Sequence, residues 1–433
     1  MSVRRTAPRV TQIAGPALPA ISFAARLPAA ICPIGTLLML TELRGIGAAG
    51  VAAGMLWSGQ AVGGPFLGRC ADRRGHRPVI LVASLANAAA IALFVASALT
   101  AMPFVVQAAL AGAVGLTVPQ IGPLSRTRWV VLTEPGDDQD QAAAKELTRR
   151  ALSFDTSVDE VSFMAGPALA GVMVVLIAPE AGLVLAGLLI AVFGTLFALH
   201  PTAPAGTPAE AASQARLLHP ALVVLFGMAL LQGMIWGSAN AGTSALSEHL
   251  GNTGMAGFVW GAMAVTSSLA GLLITVRPVA LEVTLQLRIA ISAQAVLLLP
   301  LLAVGGFPAA TAAVAGIGLA VAPHLTALFS LAEQAAPLER MGEAMALLGS
   351  GLIVGQGISA LAAGQLAQHS GSAGYHSAFV LTCASGAVAV AVACVFVRPG
   401  IFPRRTAGVS PAAATDSAAS ASASASAATP TSH

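Results

Sequence analysis

The sequence predicts an all-α integral membrane protein, with twelve transmembrane helices in two pseudo-symmetric six-helix halves. Three observations carry this. The 433-residue chain is 56% hydrophobic and 9% charged, with a mean hydropathy of +0.82. Soluble domains are about 25% charged, and a soluble fold this poor in charge would expose large apolar patches. Apolar runs of the ~20 residues that match a ~30 Å hydrocarbon core recur along the chain. They are continuous and not alternating, which favours helices over barrel strands. Finally, the basic residues fall almost entirely in alternate gaps between the runs.

In order, the runs lie near residues 17–40, 46–68, 79–100, 103–125, 153–177 and 181–199, then 220–243, 254–275, 287–305, 308–331, 343–366 and 375–397. Several contain Gly and Pro, which membrane helices tolerate. The first contains Arg26, and the fifth begins among acids. Both termini and the even-numbered gaps carry Arg4, Arg5, Arg9; Arg69, Arg73, Arg74, Arg77; Arg126, Arg128, Lys145, Arg149, Arg150; Arg216; Arg277, Arg288; Arg340; and Arg398, Arg404, Arg405. These are nineteen of the 21 Lys and Arg; the odd-numbered gaps carry Arg44 alone. By the positive-inside rule both termini are expected in the cytoplasm. The basic N-terminus superficially resembles a signal peptide, but its apolar run is too long for one.

Residues 201–219 are polar and Pro/Ala-rich, a linker composition. They divide the chain into an N-terminal six-helix half, 1–200, and a C-terminal half, 220–400. Residues 401–433 are an Ala/Ser/Thr low-complexity tail, expected to be disordered and cytoplasmic. A weak internal repeat follows the division. "GLTVP" (Gly115–Pro119) in the fourth span is echoed by "GLAVAP" (Gly318–Pro323) in the tenth. Glu160 precedes Gly166 by six residues, as Glu343 precedes Gly349. Repeated halves around a central site are a common transporter plan.

Between the second and third spans stands "GRCADRRGHRPVI", Gly68–Ile80. Gly68 and Gly75 permit a tight turn and a close approach of helix ends. Asp72 can accept hydrogen bonds from Arg73 or Arg77, or from free N–H groups at a helix N-terminus. The stretch resembles the loop signature of the major facilitator superfamily, matching it at Gly68, Ala71, Asp72, Arg73, Gly75 and Arg77. Cys70 and His76 depart from it. "ARLPAAICPIG", "GLTVPQIGPLSRTRW", "DEVSFMAGPALAG" and "GLAVAPHLTALFSLAEQAAP" are similar to a bacterial, exporter-like branch. "GPALAG" partly matches the antiporter motif of helix 5, while the helix 4 antiporter pattern is absent. The resemblance implies that Asp72 faces the start of helix 11, around Arg340–Glu343, and holds a cytoplasmic gate closed. It also implies that helices 2, 5, 8 and 11 form the seam between halves. Gly50/Gly54, Gly166/Gly171, Gly257/Gly261 and Gly351/Gly355 would then let backbones approach there.

Ionisable residues within spans are costly and are functional candidates by default. Arg26, Asp155, Asp159 and Glu160 are the coupling or ion-pair candidates. Asp155 and Asp159 share a helix face, and Glu160 is turned about 100° away. Since helices 1 and 5 adjoin in the resembling fold, Asp159 or Glu160 is the expected partner of Arg26. A structural ion pair is one outcome; a carboxyl left without a partner could instead carry a proton. Gln232, Trp236 and Asn240 recur at i, i+4 and i+8 in the seventh span and are candidates for a cavity wall. Gln107 is a further cavity candidate, and His324 reads as a packed histidine. A cavity so poor in charge suits a neutral or lipophilic solute.

Other classes find little support. The chain has no Gly-x-x-x-x-Gly-Lys-Ser/Thr loop, and Lys145 is its only lysine. Cys32, Cys70, Cys383 and Cys394 have no metal or redox spacing. No cofactor, metal site or catalytic constellation is expected, and the arginine loop is too short a footprint for nucleic acid. The expectation is a monomeric secondary transporter of the bacterial cytoplasmic membrane, moving a small solute by alternating access, with proton-coupled export first. Uptake or facilitated diffusion of a neutral metabolite comes second, and a non-transporting sensor or assembly protein third.

Overall fold

The computed structural model describes Gly15 and residues 17–133, 141–204, 220–276, 281–336, 341–371 and 374–398. Within these ranges the side chains of Asp72, Glu160 and Glu343, among others, lie outside the description. The linker between the halves, the tail and residues 134–140 fall outside it too.

Twelve helical passages follow in order: α1 Ala17–Arg44, α2 Ile46–Arg74, α3 His76–Leu99, α4 Phe104–Leu132, α5 Gln141–Leu176 and α6 Ala181–Leu199. The second set is α7 Pro220–His249, α8 Met255–Val276, α9 Val283–Ala303, α10 Phe307–Ala335, α11 Met341–His369 and α12 Tyr375–Phe396. Ten are long and apolar enough to cross a membrane. The other two are α2, whose last turns carry Arg69, Arg73 and Arg74, and α5, whose apolar part is Val161–Leu176. At 1.5 Å per residue the 29 residues of α2 reach about 43 Å, more than a bilayer core.

The turns are short where glycine allows it. Gly45 (φ 83) alone separates α1 from α2, and Gly75 (φ 88) alone separates α2 from α3. That region of φ is open to glycine and strained for other residues. In α4 the helix stops at Thr117 and restarts at Ile121. Pro119 lacks an N–H and disfavours helical geometry before it. Asn87 of α3 covers the break, donating to the Val114 carbonyl (2.8 Å) and to Thr117 Oγ1 (3.0 Å). The echo in α10 does not break: Pro323 stays inside the helix.

Packing repeats between the halves. In the first, α1 packs on α5 and α6, α2 on α4, and α3 on α4 and α6. In the second, α7 packs on α11 and α12, α8 on α10, and α9 on α10 and α12. Adding six to each helix number converts one set into the other. The halves meet through α2 with α11 and α5 with α8, which the same operation exchanges. Even helix order puts Ala17 and Phe396 at one end of the bundle, here the terminal end; the α1–α2 and α7–α8 turns mark the loop end.

Candidate functional site

Glycines make the seam close at the loop end. A Cβ on Gly50 of α2 would meet the Ala360 carbonyl at 2.7 Å and the Gly364 Cα at 2.9 Å, both on α11. A Cβ on Gly171 of α5 would meet the Gly254 carbonyl, just before α8, at 2.6 Å. Gly47, Gly54, Gly254, Gly257, Gly261, Gly357 and Gly364 also face the opposite half closely. All of these lie from the loop end to mid-helix. Towards the terminal end, Gly68 of α2 and Gly349 of α11 would meet nothing within 4 Å.

Two glutamates reinforce the closed end, and they are related by the half-exchange. Glu42, in the last turn of α1, accepts a hydrogen bond from Thr253 Oγ1 just before α8 (2.8 Å). Glu248, in the last turn of α7, accepts one from the backbone N–H of Ile46, the first residue of α2. Each carboxylate thus leaves its own helix C-terminus and reaches towards the N-terminus of the opposite half's second helix, where negative charge is favoured. The sequences correspond: Thr41-Glu42 followed by Gly45, and Ser247-Glu248 followed by Gly251, both glycines at positive φ. Gln365 of α11 adds a hydrogen bond to the Gly47 carbonyl (2.9 Å). A cavity of about 300 Å³ lies beside Glu248, Gln368 and Tyr375.

At the terminal end, charge joins α1, α4 and α5. Arg26, 3% exposed, grips Asp155, 2% exposed, through Nη2 at 2.7 and 2.8 Å. Its Nε lies 3.4 Å from Asp159 Oδ1 without hydrogen-bond alignment. Arg126 Nη2 donates to Asp159 Oδ2 at 2.8 Å. Asp155 Oδ1 also accepts from Ser125 Oγ (2.7 Å) and Trp129 Nε1 (3.1 Å). Two cations balance two anions, so the burial is compensated. Of the expected partners of Arg26, Asp159 is in its ion-pair network at 3.4 Å, with Asp155 the closer partner at 2.7 Å; the Glu160 side chain lies outside the described residues. Helical phase alone did not locate α1 around α5. The Ser125-Arg126-x-x-Trp129 face of α4 was missed, although polar residues at i, i+1 and i+4 at a span end were its signal.

Mid-bundle, α7 and α10 are joined by one polar contact. His324 Nδ1 lies 2.8 Å from Gln232 Oε1, both residues fully buried. With the amide oxygen accepting, Nδ1 is the donor in this contact. His324 Nε2, Gln232 Nε2, Trp236 Nε1 and Asn240 Oδ1 have no hydrogen-bond partner among the described residues. Trp236 and Asn240 are partly buried. The alternate face of α7 is used for packing, Gly233 and Gly237 pressing on α11 at Leu352 and Gln356.

The remaining candidates fall as follows. Gln107 does not line a cavity with this stripe: its amide donates to the Ser97 and Met102 carbonyls, closing the α3–α4 turn. Gly166 packs on Ala30 of α1, and Gly351 and Gly355 pack on α7, all within their own halves. Gly357 and Gly364 take the seam positions on α11. Arg73 and Arg77 are exposed, and His76 is buried. Gly75 makes its turn, whereas no close approach depends on Gly68 here. The Asp72–Glu343 contact lies outside the described side chains. Among the described residues no group of three or more His, Cys, Asp or Glu is placed to hold a metal ion.

No family model and no curated protein matches the chain. Solved structures do. A bacterial homologue of the human lysosomal transporter Spinster, inward-facing and unoccupied, superposes with a TM-score of 0.66 at 13% identity, over 92% of this chain and 98% of that one. The nucleoside transporter NupG gives 0.66 at 16% identity, over 89% and 99%. A bacterial homologue of the iron transporter ferroportin, inward-facing, gives 0.64 at 16%, over 90% and 100%. At such identities the likeness is one of architecture, and it spans nearly the whole of each chain: this protein has the fold of the major facilitator transporters.

Proposed function

We propose that the chain is a secondary transporter of a small, uncharged or lipophilic solute, working as a monomer by alternating access in the bacterial cytoplasmic membrane. Proton-coupled export is its direction. The observation that carries the reading is the one-sided seam: among the described glycines, tight contacts between halves run from the loop end to mid-helix, and none lies towards the terminal end. With the termini in the cytoplasm, as the arginine bias argues, this state is closed outward and open inward. Rocking the halves would loosen the glycine seam and bring the terminal end together. Asp72 and the start of α11 around Glu343 would meet there, with Gly68, Arg73, Gly75 and Arg77 shaping the loop.

Gln232, Trp236 and Asn240 would face the solute beside His324. Their free polar atoms are uncharged donors and acceptors, which suits a neutral molecule. In the Arg26 network Asp159 is 21% exposed and shares Arg126, itself 46% exposed. Withdrawal of Arg126 as α4 moves against α5 would leave Asp159 with a weaker partner and able to take a proton. Asp155 and Arg26 would hold the helices together throughout; Glu160 remains a second coupling candidate.

Everted membrane vesicles test this directly. They should accumulate the exported compound from a broad neutral and lipophilic panel, more slowly with Asp72→Asn, and lose accumulation when the pH gradient is collapsed. Flux that ignores the gradient removes proton coupling. Movement only down a gradient favours facilitated diffusion. No flux of any compound sinks the transport reading and favours a sensor or assembly role.

A further inference from the structure

We propose that Arg128 and His76 hold a phosphate-type anion at the terminal end of the first half, where α3, α4 and α6 meet. The site is separate from the solute face and does not depend on the transport reading.

Arg128 lies in the last turns of α4 and is 1% exposed. Its Nη1 donates to the Phe197 carbonyl of α6 at 2.8 Å, and its guanidinium carbon sits 3.7 Å from the centroid of the Phe197 ring. Its Nε and Nη2 have no hydrogen-bond partner among the described residues. The ion pairs among the described residues, which join Arg26 and Arg126 to Asp155 and Asp159, do not include it. His76, the first residue of the 24-residue α3, is 3% exposed, and its Nδ1 is also unpartnered. Its backbone N–H donates to the Pro204 carbonyl at 3.2 Å, so the stretch from Phe197 to Pro204 connects the two side chains. His200, on that stretch, pairs its Nδ1 with Thr202 Oγ1 at 2.9 Å and lies within reach of the Arg128 charge.

A guanidinium, already bonded to one carbonyl and stacked on the ring of Phe197, converges with two imidazoles and the N-terminus of a long helix, and α3 has no side-chain cap. The contrast with Arg26 is direct: equally buried, Arg26 has two carboxylates around it. A buried cation without an anion is costly. A phosphate oxygen pair fits the free Nε and Nη2 edge of the guanidinium, and the positive end of α3 favours its charge. The group can be a lipid headgroup, since helix ends lie at headgroup depth, or free phosphate.

The test compares wild type, Arg128→Met and, as a surface control, Arg73→Gln, each as the full chain in a phosphate-free neutral detergent. Phosphatidylglycerol, a neutral glycolipid and inorganic phosphate are added separately, and the thermal midpoint is read. Without anion, Arg128→Met should melt at or above wild type, because an unpaired buried charge has been removed. With the right anion, wild type and Arg73→Gln should rise by at least about 3 °C and Arg128→Met should not. A response to phosphatidylglycerol alone identifies a headgroup, and one to inorganic phosphate identifies the free ion. The proposal is overturned if wild type responds to neither, or if Arg128→Met responds equally. Should Arg128→Met fail to fold, native mass spectrometry of wild type decides: a bound phosphate species lost in Arg128→Lys supports the site, and no bound species overturns it.

Discussion

The two ends of the bundle are held by different means. At the loop end the halves touch backbone to backbone, through Gly50, Gly171, Gly257 and Gly364, with Glu42 and Glu248 as reciprocal caps. At the terminal end the strongest contacts stay inside the first half, where Arg26, Arg126, Asp155 and Asp159 bind three helices into one. The contacts between halves are built to part, whereas the buried Arg26–Asp155 pair keeps α1 and α5 of the first half together. Dispersion contacts and hydrogen bonds with a water-exposed alternative break at modest cost, whereas a buried ion pair cannot lose one partner cheaply.

The comparison breaks hardest at Arg26. Arg26→Gln should cost about 3–5 kcal/mol by leaving Asp155 charged with only the distant Arg126 as a partner. Adding Asp155→Asn should restore much of it, read as thermal midpoint and yield. A single variant as stable as wild type would mean that the network is not structural. Next, Gly50→Ala should cut transport by about tenfold or more, since its Cβ would meet backbone that packing holds in place. Gly349→Ala, with open space around it, should change transport by less than about twofold. Equal effects would erase the distinction between the ends.

Smaller effects sharpen it. Glu42→Gln and Glu248→Gln should each weaken the loop-end closure by about 0.5–1.5 kcal/mol. Labelling of a cysteine placed at Ala360 should rise severalfold in either variant, and the double variant should exceed neither by much if both caps open in one motion. Full additivity would make them independent. The smallest effect is at His200, outside the spans. Burial, and then the Arg128 charge, hold its pKa below the ordinary value. The unfolded chain therefore binds a proton that the folded chain resists, and stability falls as pH drops through about 6.5. His200→Gln should shallow that loss between pH 7.5 and 5.5; an unchanged slope would assign it to other groups.

Periodicity and charge bias made the architecture legible. Ala17, Ile46, Ala181 and Pro220 begin helices where the apolar runs begin. Ends were less clear, because α1 and α7 continue through "TELR" and "SEH", polar turns that hydropathy discards. Those turns hold Glu42 and Glu248, the best internal repeat in the chain. The repeat "GLTVP" with "GLAVAP" marks a break in α4 and none in α10. Gln107 looked like a cavity residue because an isolated amide in an apolar run is ambiguous; the free carbonyls of a helix turn decide its role. That Asp155 lies closer to Arg26 than Asp159 does depends on the rotation of α1 about α5, a tertiary quantity that no local pattern encodes.

The single-residue links at Gly45 and Gly75 have a consequence for biogenesis. With no slack between them, α1 and α2, and then α2 and α3, cannot enter the bilayer as independent segments separated by a loop. They must be delivered as hairpins, so α2, the least apolar of the three, is carried in between two strongly apolar neighbours.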